Sequence, residues 1–400
     1  MPRSVCGLDL SAKKSQPFGR NVAGTCRKPK PVSSAIASAR SGLPSPPKAK
    51  PNAGLAHYLK NVTIIGGGIA GLSAGIALRQ RGVPITVIES KEYPRHKVCG
   101  EFVSGRGLEV LASIGIDVSS LGVPVEAISF HQNSESSPPL ALPQPGIGTS
   151  RYRFDFTLAE TLKSLGGHVR SSSRFQSNRM EEGYVCATGR RRQTQSKWKW
   201  YGLKAHVSEV ELASDLELHF TDEGYVGLCR VEGEKINVCG LFRRPANSVA
   251  RSPNFIEHFT SAGSLRERLS HAKWDERSFA AVSALPVGGR GLARSRRGDE
   301  AEKFRLGDAL SMIPPFTGNG MSLALESASL AVDPLVGYSR GELSWAEALT
   351  VFQTATRKHF RRRLTLANAA QNLLMMSFCK RLFMMPEVIG IWRHVFAQTR

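Results

Sequence analysis

Gly66, Gly68 and Gly71 stand as G-x-G-x-x-G directly after the β-branched run Val62-Thr63-Ile64-Ile65. Glycine in the first place permits a tight turn, and in the second it lets the backbone approach a diphosphate. In the third it lets a following helix pack closely on the strand. Ile69 and Ala70 then open a helix whose unpaired N–H groups and partial positive charge suit phosphate. Glu89 lies 18 residues after Gly71, at the tip of the next β-branched run, with Ser90 beside it. A carboxylate there accepts ribose hydroxyls. These residues point to an adenosine-diphosphate ligand, and because NAD and FAD share that half, both stay open. A glycine turn without a ligand is the plainer alternative. It is disfavoured because strand, helix and distal acid all fall where the pattern requires them.

A second cluster lies far along the chain. Gly307-Asp308 ends a short strand-like run, and Pro315, Gly318, Asn319, Gly320 and Met321 lead into an apolar helix. A carboxylate at a strand end can hold a polyol, and a glycine-opened helix offers N–H groups to anions or carbonyls. Taken alone, the segment reads equally well as an acidic cap and an ordinary loop. Cys99 follows Lys97 and lies near Arg95 and His96, surroundings that favour a thiolate. No second cysteine is placed to resolve it, so a small packed residue without covalent chemistry is the better reading. Lys204 and His206 alternate along a strand and share one face, as proton donors or substrate anchors would. A solvated strand face is the simpler account and is preferred.

These residues need elements to hold them. The sequence predicts a strand over 62–65, a helix over 69–81 and a strand over 84–88, a β-α-β unit within ~30 residues. Further strands are expected over 125–132, 184–187, 201–207, 212–220, 224–231, 235–241 and 303–306. Helices are expected over 157–165, 254–262, 264–272 and 321–331, with a mostly helical end from 344 to 400. Strand–helix–strand, then a mixed β region, then a strand–helix return implies a nucleotide-binding domain interrupted by a sheet-based one. The fold class is therefore mixed α/β: a Rossmann-type binding domain interleaved with an antiparallel-sheet substrate domain and a C-terminal helical region. The expected boundaries are 59–124, 150–190 and 278–340 for the binding domain, 125–149 and 191–277 for the substrate domain, and 341–400 for the C-terminal helices.

Composition narrows the class. The chain has 400 residues, 41% hydrophobic and 22% charged, with a net charge of +21. Residues 1–60 hold eleven Lys or Arg and one acid, Asp9, so that stretch carries +10 and the rest +11. Residues 1–58 lack an apolar period and read as a basic, unstructured tail. A start placed too early and an organellar leader are the alternatives; without a clear amphipathic helix the leader is the weaker. No nucleic-acid-binding module is recognisable, so no specific nucleic-acid partner is expected. Seven scattered cysteines show no metal-ligand spacing, so no metal is expected, and they suit a reducing, cytoplasmic setting. The longest apolar candidate, Leu373–Phe378, falls short of the ~20 residues a membrane span needs. With Leu382–Met385 it forms a methionine-rich stretch among basic residues, read as core packing, with peripheral membrane contact as the alternative.

Four further segments carry a resemblance. Tyr93-Pro94-Arg-His-Lys97-Val-Cys99-Gly100-Glu101 resembles the P-x-x-K-x-C-G-E/D segment of geranylgeranyl reductases. Arg151-Tyr-Arg-Phe-Asp155 resembles an R-x-x-L-D element, and Val185-Cys-Ala187-Thr-Gly189-Arg190 resembles a strand ending in A-x-G-R. Gly307-Asp308 with Pro314-Pro315-x-x-Gly318-x-Gly320-Met321 is similar to the second FAD signature. With the first turn, these segments are similar to the flavoprotein superfamily of p-hydroxybenzoate hydroxylase, geranylgeranyl reductases and flavin-dependent halogenases, over roughly residues 60–380. The resemblance implies FAD as cofactor, with Lys97, Cys99 and Gly100 beside the flavin, Arg151 and Gly189 on the cofactor, and Asp308 on the ribityl chain. It implies NAD(P)H as transient electron donor, since no second dinucleotide motif is visible.

Three departures from that pattern bear on the activity. The substrate-domain motifs of prenyl reductases and halogenases are replaced by Tyr225-Val-Gly227-Leu-Cys229-Arg230, and Trp198-Lys-Trp200 lies too early to substitute for the latter. The stretch from Val169 to Ala187 is short, and Gly189 is followed by three arginines. The expected activity is monooxygenase-like, on a hydrophobic small molecule. An alkene reductase of isoprenoid or polyketide chains and a low-turnover flavin-binding electron carrier are the alternatives.

Overall fold

A computed structural model describes residues 59–176, 181–190, 197–247, 255–286, 303–374 and 396–398. The chain enters through β1 (Val62–Ile65), α1 (Ile69–Gln80) and β2 (Ile85–Ile88). Next come β3 (Phe102–Ser104), α2 (Arg106–Ser113), the single turn α3 (Val118–Leu121), β4 (Val123–Gln132), β5 (Glu135–Ser136) and β6 (Leu140–Gly148). Helix α4 (Arg151–Ser164) leads to β7 (His168–Arg170) and β8 (Tyr184–Cys186). Strands β9 (Trp198–Ser208), β10 (Leu216–Phe220), β11 (Gly224–Val231) and β12 (Lys235–Pro245) follow, then α5 (Phe255–Phe259), α6 (Gly263–Ser270) and β13 (Lys273–Ser283). The chain returns through β14 (Phe304–Arg305) into α7 (Gly320–Ser339) and α8 (Trp345–Leu374).

Two sheets result. The smaller is wholly parallel, in the order β14-β8-β1-β2-β7. Its central strand β1 buries Val62 and Ile64 completely, because helices cover both faces and no position meets water. Helix α1 is apolar almost all round for the same reason, packing on α4 and α7. The larger sheet runs β13-β9-β12-β11-β10-β4-β6-β3, antiparallel except where β10 lies parallel to β4. One face of it packs on α5 and α6 through Leu203, Ala205, Val207, Phe259, Leu265 and Leu269. The other face turns toward the glycine-rich turn. The mixed α/β architecture matches the expected fold class.

Several elements were not legible. Strand β6 contains Pro143 and Pro145, which read as breakers; it is accommodated beside a register irregularity between Val125 and Ala127 of β4. β13 continues in the larger sheet to Ser283, past residue 277. Helix α7 runs on through Pro334 to Ser339, well beyond the expected end at 331, while α4 begins at Arg151, where the R-x-x-L-D resemblance opens a helix and six residues before the start read from apolar spacing, capped by the Ser150 hydroxyl. The sequence readings for residues 1–58 and for the methionine-rich stretch beyond Leu374 lie outside the described residues. Among the described residues, no helix is long and apolar enough to cross a membrane.

Candidate active site

The glycine-rich turn is built by close packing. Gly66 has φ +111°, and a side chain there would meet the Ala187 carbonyl at 2.3 Å. A side chain on Gly71 would meet the Gly66 carbonyl at 2.0 Å, so this glycine seats α1 against β1. Gly68 differs: a methyl group there would meet only Lys97 Nζ at 3.7 Å and Arg151 Nη2 at 3.9 Å. The space above it is a polar, cationic cradle at the helix start.

Those two cations share one counter-ion, the acid that closes the R-x-x-L-D segment, to which the sequence assigned no role. Asp155 is fully buried and accepts from Lys97 Nζ at 2.6 Å and from Arg151 Nε and Nη2 at 2.8 and 2.9 Å. Burial draws the Lys97 ammonium below its ordinary value, against the opposing pull of Asp155. Two cations against one carboxylate leave one positive charge beside the uncapped N-terminus of α1. That is the charge and geometry a diphosphate requires. Glu89 is buried and already engaged: Oε2 accepts from the Gly67 N–H at 2.9 Å, and Oε1 from Lys91 N–H at 3.0 Å and Ser90 Oγ at 3.1 Å. Arg95 pairs with it at 2.9 Å, and the Tyr93 hydroxyl donates to the Gly67 carbonyl at 2.5 Å. The acid therefore also ties the turn to the segment that follows β2.

A continuous cavity of about 1020 Å³ runs from this turn to the face of the larger sheet. Pockets for drug-sized ligands span ~300–1,000 Å³, so there is room for a dinucleotide and more. Of the residues expected to hold a cofactor, all but Gly71 and Asn319 line this cavity. Gly71 is consumed by packing, and Asn319 is fully buried beneath the start of α7. Asp308 projects its carboxylate into the open cavity, while the protein walls around it raise its pKa. Gly307, with φ +57°, sits against Ala70 and Ala324, bringing the second signature to the first turn. Residues 240 positions apart in sequence thus form the two ends of one site, and the donors present fit FAD.

Cys99 and Gly100 also line the cavity. Burial pushes the Cys99 thiol above its ordinary value, and the nearby Cys229 and Cys239 thiols likewise. A protonated thiol is a poor nucleophile, in keeping with a packing residue. Lys204 and His206 correct the sequence reading in one respect. They share a face as alternation requires, but that face is not solvated: Lys204 is 0% and His206 2% exposed. Helices cover one side of the sheet and the binding domain covers the other, so a polar strand face can lie inside. Neither residue lines the cavity; both converge on Glu101, itself 0% exposed.

Beyond the flavin-sized portion the walls turn apolar, with Leu218, Leu241, Val282, Leu285, Met312 and Phe316. Tyr225 lies among them, 5% exposed, with no hydrogen-bond partner for its hydroxyl among the described residues. A buried hydroxyl without a partner costs about 1–3 kcal/mol.

Comparison with known proteins agrees with the geometry. Residues 60–206 match the family model of the FAD binding domain. Menaquinone reductase of Mycobacterium tuberculosis is 24% identical over 329 residues, covering 69% of this chain and 76% of that protein. Among solved structures, a flavoprotein/dehydrogenase from Cytophaga hutchinsonii superposes with a TM-score of 0.67 at 15% identity, over 85% of this chain and 93% of that one. A geranylgeranyl bacteriochlorophyll reductase-like protein from Thermoplasma acidophilum gives 0.66 at 17% identity, over 82% and 91%.

Proposed function

We propose that the chain, whose residues 60–206 match the FAD binding domain family, is an FAD-dependent oxidoreductase of the superfamily that includes p-hydroxybenzoate hydroxylase and the geranylgeranyl reductases, and that it takes hydride from NAD(P)H to act, in the manner of a monooxygenase, on a hydrophobic small molecule. FAD, when bound, supplies hydride acceptance and its delivery to oxygen or substrate. The observation that carries the reading is the continuity of the cavity, from the cationic cradle at Gly68 to the apolar chamber around Leu241. The cradle would hold the diphosphate, and Asp308 and Gly307 the middle of the cofactor. The chamber walls would exclude water.

A second reading, reduction of a carbon–carbon double bond or a quinone, draws on two observations. The Lys97–Glu101 segment lies at the cavity wall, and the menaquinone reductase is a distant relative. A hydrophobic substrate would be met at a membrane surface. The exposed Arg357, Lys358, Arg361 and Arg362 on α8 suit anionic lipid headgroups. Purified protein should be yellow, bleach with NADPH and re-oxidise in air. Screening aromatic, polyketide, prenyl and quinone compounds for stimulated NADPH oxidation separates the readings: oxygen incorporated into product marks a monooxygenase, and a saturated or quinol product marks a reductase. A yellow protein that no compound stimulates marks an electron carrier, and colourless protein that cannot be reconstituted overturns the proposal.

A further inference from the structure

Among the described residues, Lys204 is the largest charged side chain sealed completely inside the protein, and its neighbours explain what it does. Its ammonium lies 3.2 Å from Glu101 Oε1 and 3.0 Å from His96 Nδ1. An ammonium only donates, so His96 Nδ1 must accept, and the imidazole hydrogen must sit on Nε2. Glu101 is itself pinned, accepting from His206 Nε2 at 2.6 Å and from the Arg151 N–H at 2.9 Å. The His96 ring is held in plane by stacking on Tyr152, with centroids 4.7 Å apart, and by the edge of His206 at 5.1 Å. His96 lines the cavity three residues before Cys99, and its Nε2 has no partner among the described residues. Burial, then the neighbouring Lys204 and His206, push its pKa down to about 4, outweighing Glu101 and Asp275, so the ring is neutral.

We propose that His96 is a substrate-recognition residue, locked by Lys204 as the Nε2–H tautomer and donating to a carbonyl- or phenolate-type oxygen of the molecule in the chamber. Lys204 and Glu101 are positioning residues that act through it. Nothing in a lone histidine within Pro94–Glu101 signals this; only the fold brings β9 beneath that segment. The inference rests on the chamber being the substrate site, and it narrows the substrate to molecules that carry such an oxygen. The flavin also carries carbonyl oxygens, so the test must separate the two sources.

The full-length, FAD-loaded, oxidised protein is dialysed to equilibrium against 2-methyl-1,4-naphthoquinone and, separately, 2-methylnaphthalene. The wild type should prefer the quinone. His96→Phe should lower quinone affinity about 3–10-fold, the worth of one neutral hydrogen bond, and leave the hydrocarbon and the FAD content unchanged. His96→Gln, which keeps an N–H donor, should retain part of the preference. Equal weakening of both probes, an unchanged preference, or a loss of FAD affinity instead would overturn the assignment, the last by giving the oxygen to the flavin. Histidine ¹⁵N NMR on ligand-free wild type should find the His96 proton on Nε2 at pH 7; a proton on Nδ1, or on both nitrogens, overturns the lock. If neither probe binds the wild type, the chamber is not the substrate site and the role of His96 falls with it, while the NMR result still stands or fails by itself.

Discussion

Gly68 and Gly71 stand three residues apart in one turn, and their missing side chains do different work. At Gly71 the absent Cβ is space the Gly66 carbonyl already occupies, whereas at Gly68 it is space facing Lys97 and Arg151. Gly71→Ala should therefore destabilise the protein by about 3 kcal/mol through overpacking, read as a lowered unfolding midpoint. Gly68→Ala should leave the midpoint of the cofactor-free protein unchanged and lower FAD occupancy about tenfold, read from flavin absorbance per protein. A titrating residue gives a different test. His131 is 5% exposed, and its pKa is pushed down from 6.5 to about 4 by burial and then by His219. The unfolded chain thus binds the proton first, and stability falls as the pH drops from 6.5 through about 4. His131 should account for roughly 1 kcal/mol of that loss by pH 5.5. Denaturant midpoints at pH 7 and 5.5 should differ less in His131→Gln than in the wild type.

Among the elements, α7 and α8 are joined by a buried charge rather than by apolar contact alone. Glu326 on α7 is 3% exposed; it accepts from Arg363 at 2.5 and 3.0 Å and pairs with His359 at 2.5 Å, both on α8. Burial raises the carboxyl, but these partners outweigh it and hold the group below its ordinary range. Glu326→Ala removes the carboxylate from a buried guanidinium and should cost about 3–5 kcal/mol. Urea unfolding would show it, and a loss under 1 kcal/mol would mean that α8 is held mainly by Phe352, Phe360 and Leu364. Strand β9 shows the same physics: its inward polar residues are tolerated because Glu101 and His96 meet them.

For the molecule as a whole, the central feature is one void shared by two sheets. Its cofactor end is lined by glycines and charge, and its far end by apolar side chains of the larger sheet. Filling the far end should leave the near end intact. Leu241→Trp should retain normal FAD content and thermal stability within about 1–2 kcal/mol, while any hydrophobic ligand loses at least about tenfold in affinity. Loss of flavin in this variant would show that the two ends are not independent.

Residue order alone dictated the cofactor half. A glycine turn between a β-branched run and a helix, with an acid after the next strand, is a local pattern, and local backbone geometry dictates its residue types. The second signature at Gly307-Asp308 was ambiguous by itself and became legible only through its resemblance to the second FAD signature, and nothing local said that it lies against Ala70. Asp155 as the shared counter-ion of Lys97 and Arg151, the sealed Lys204 and the buried, unpartnered hydroxyl of Tyr225 at the chamber wall came from tertiary packing. Alternation along β9 shows which residues share a face, but not whether that face meets water. That depends on what packs above the sheet, and here the covering layer comes from the part of the chain around Cys99, about a hundred residues earlier in sequence. Period-two patterning is a property of one strand, whereas burial is a property of the assembly.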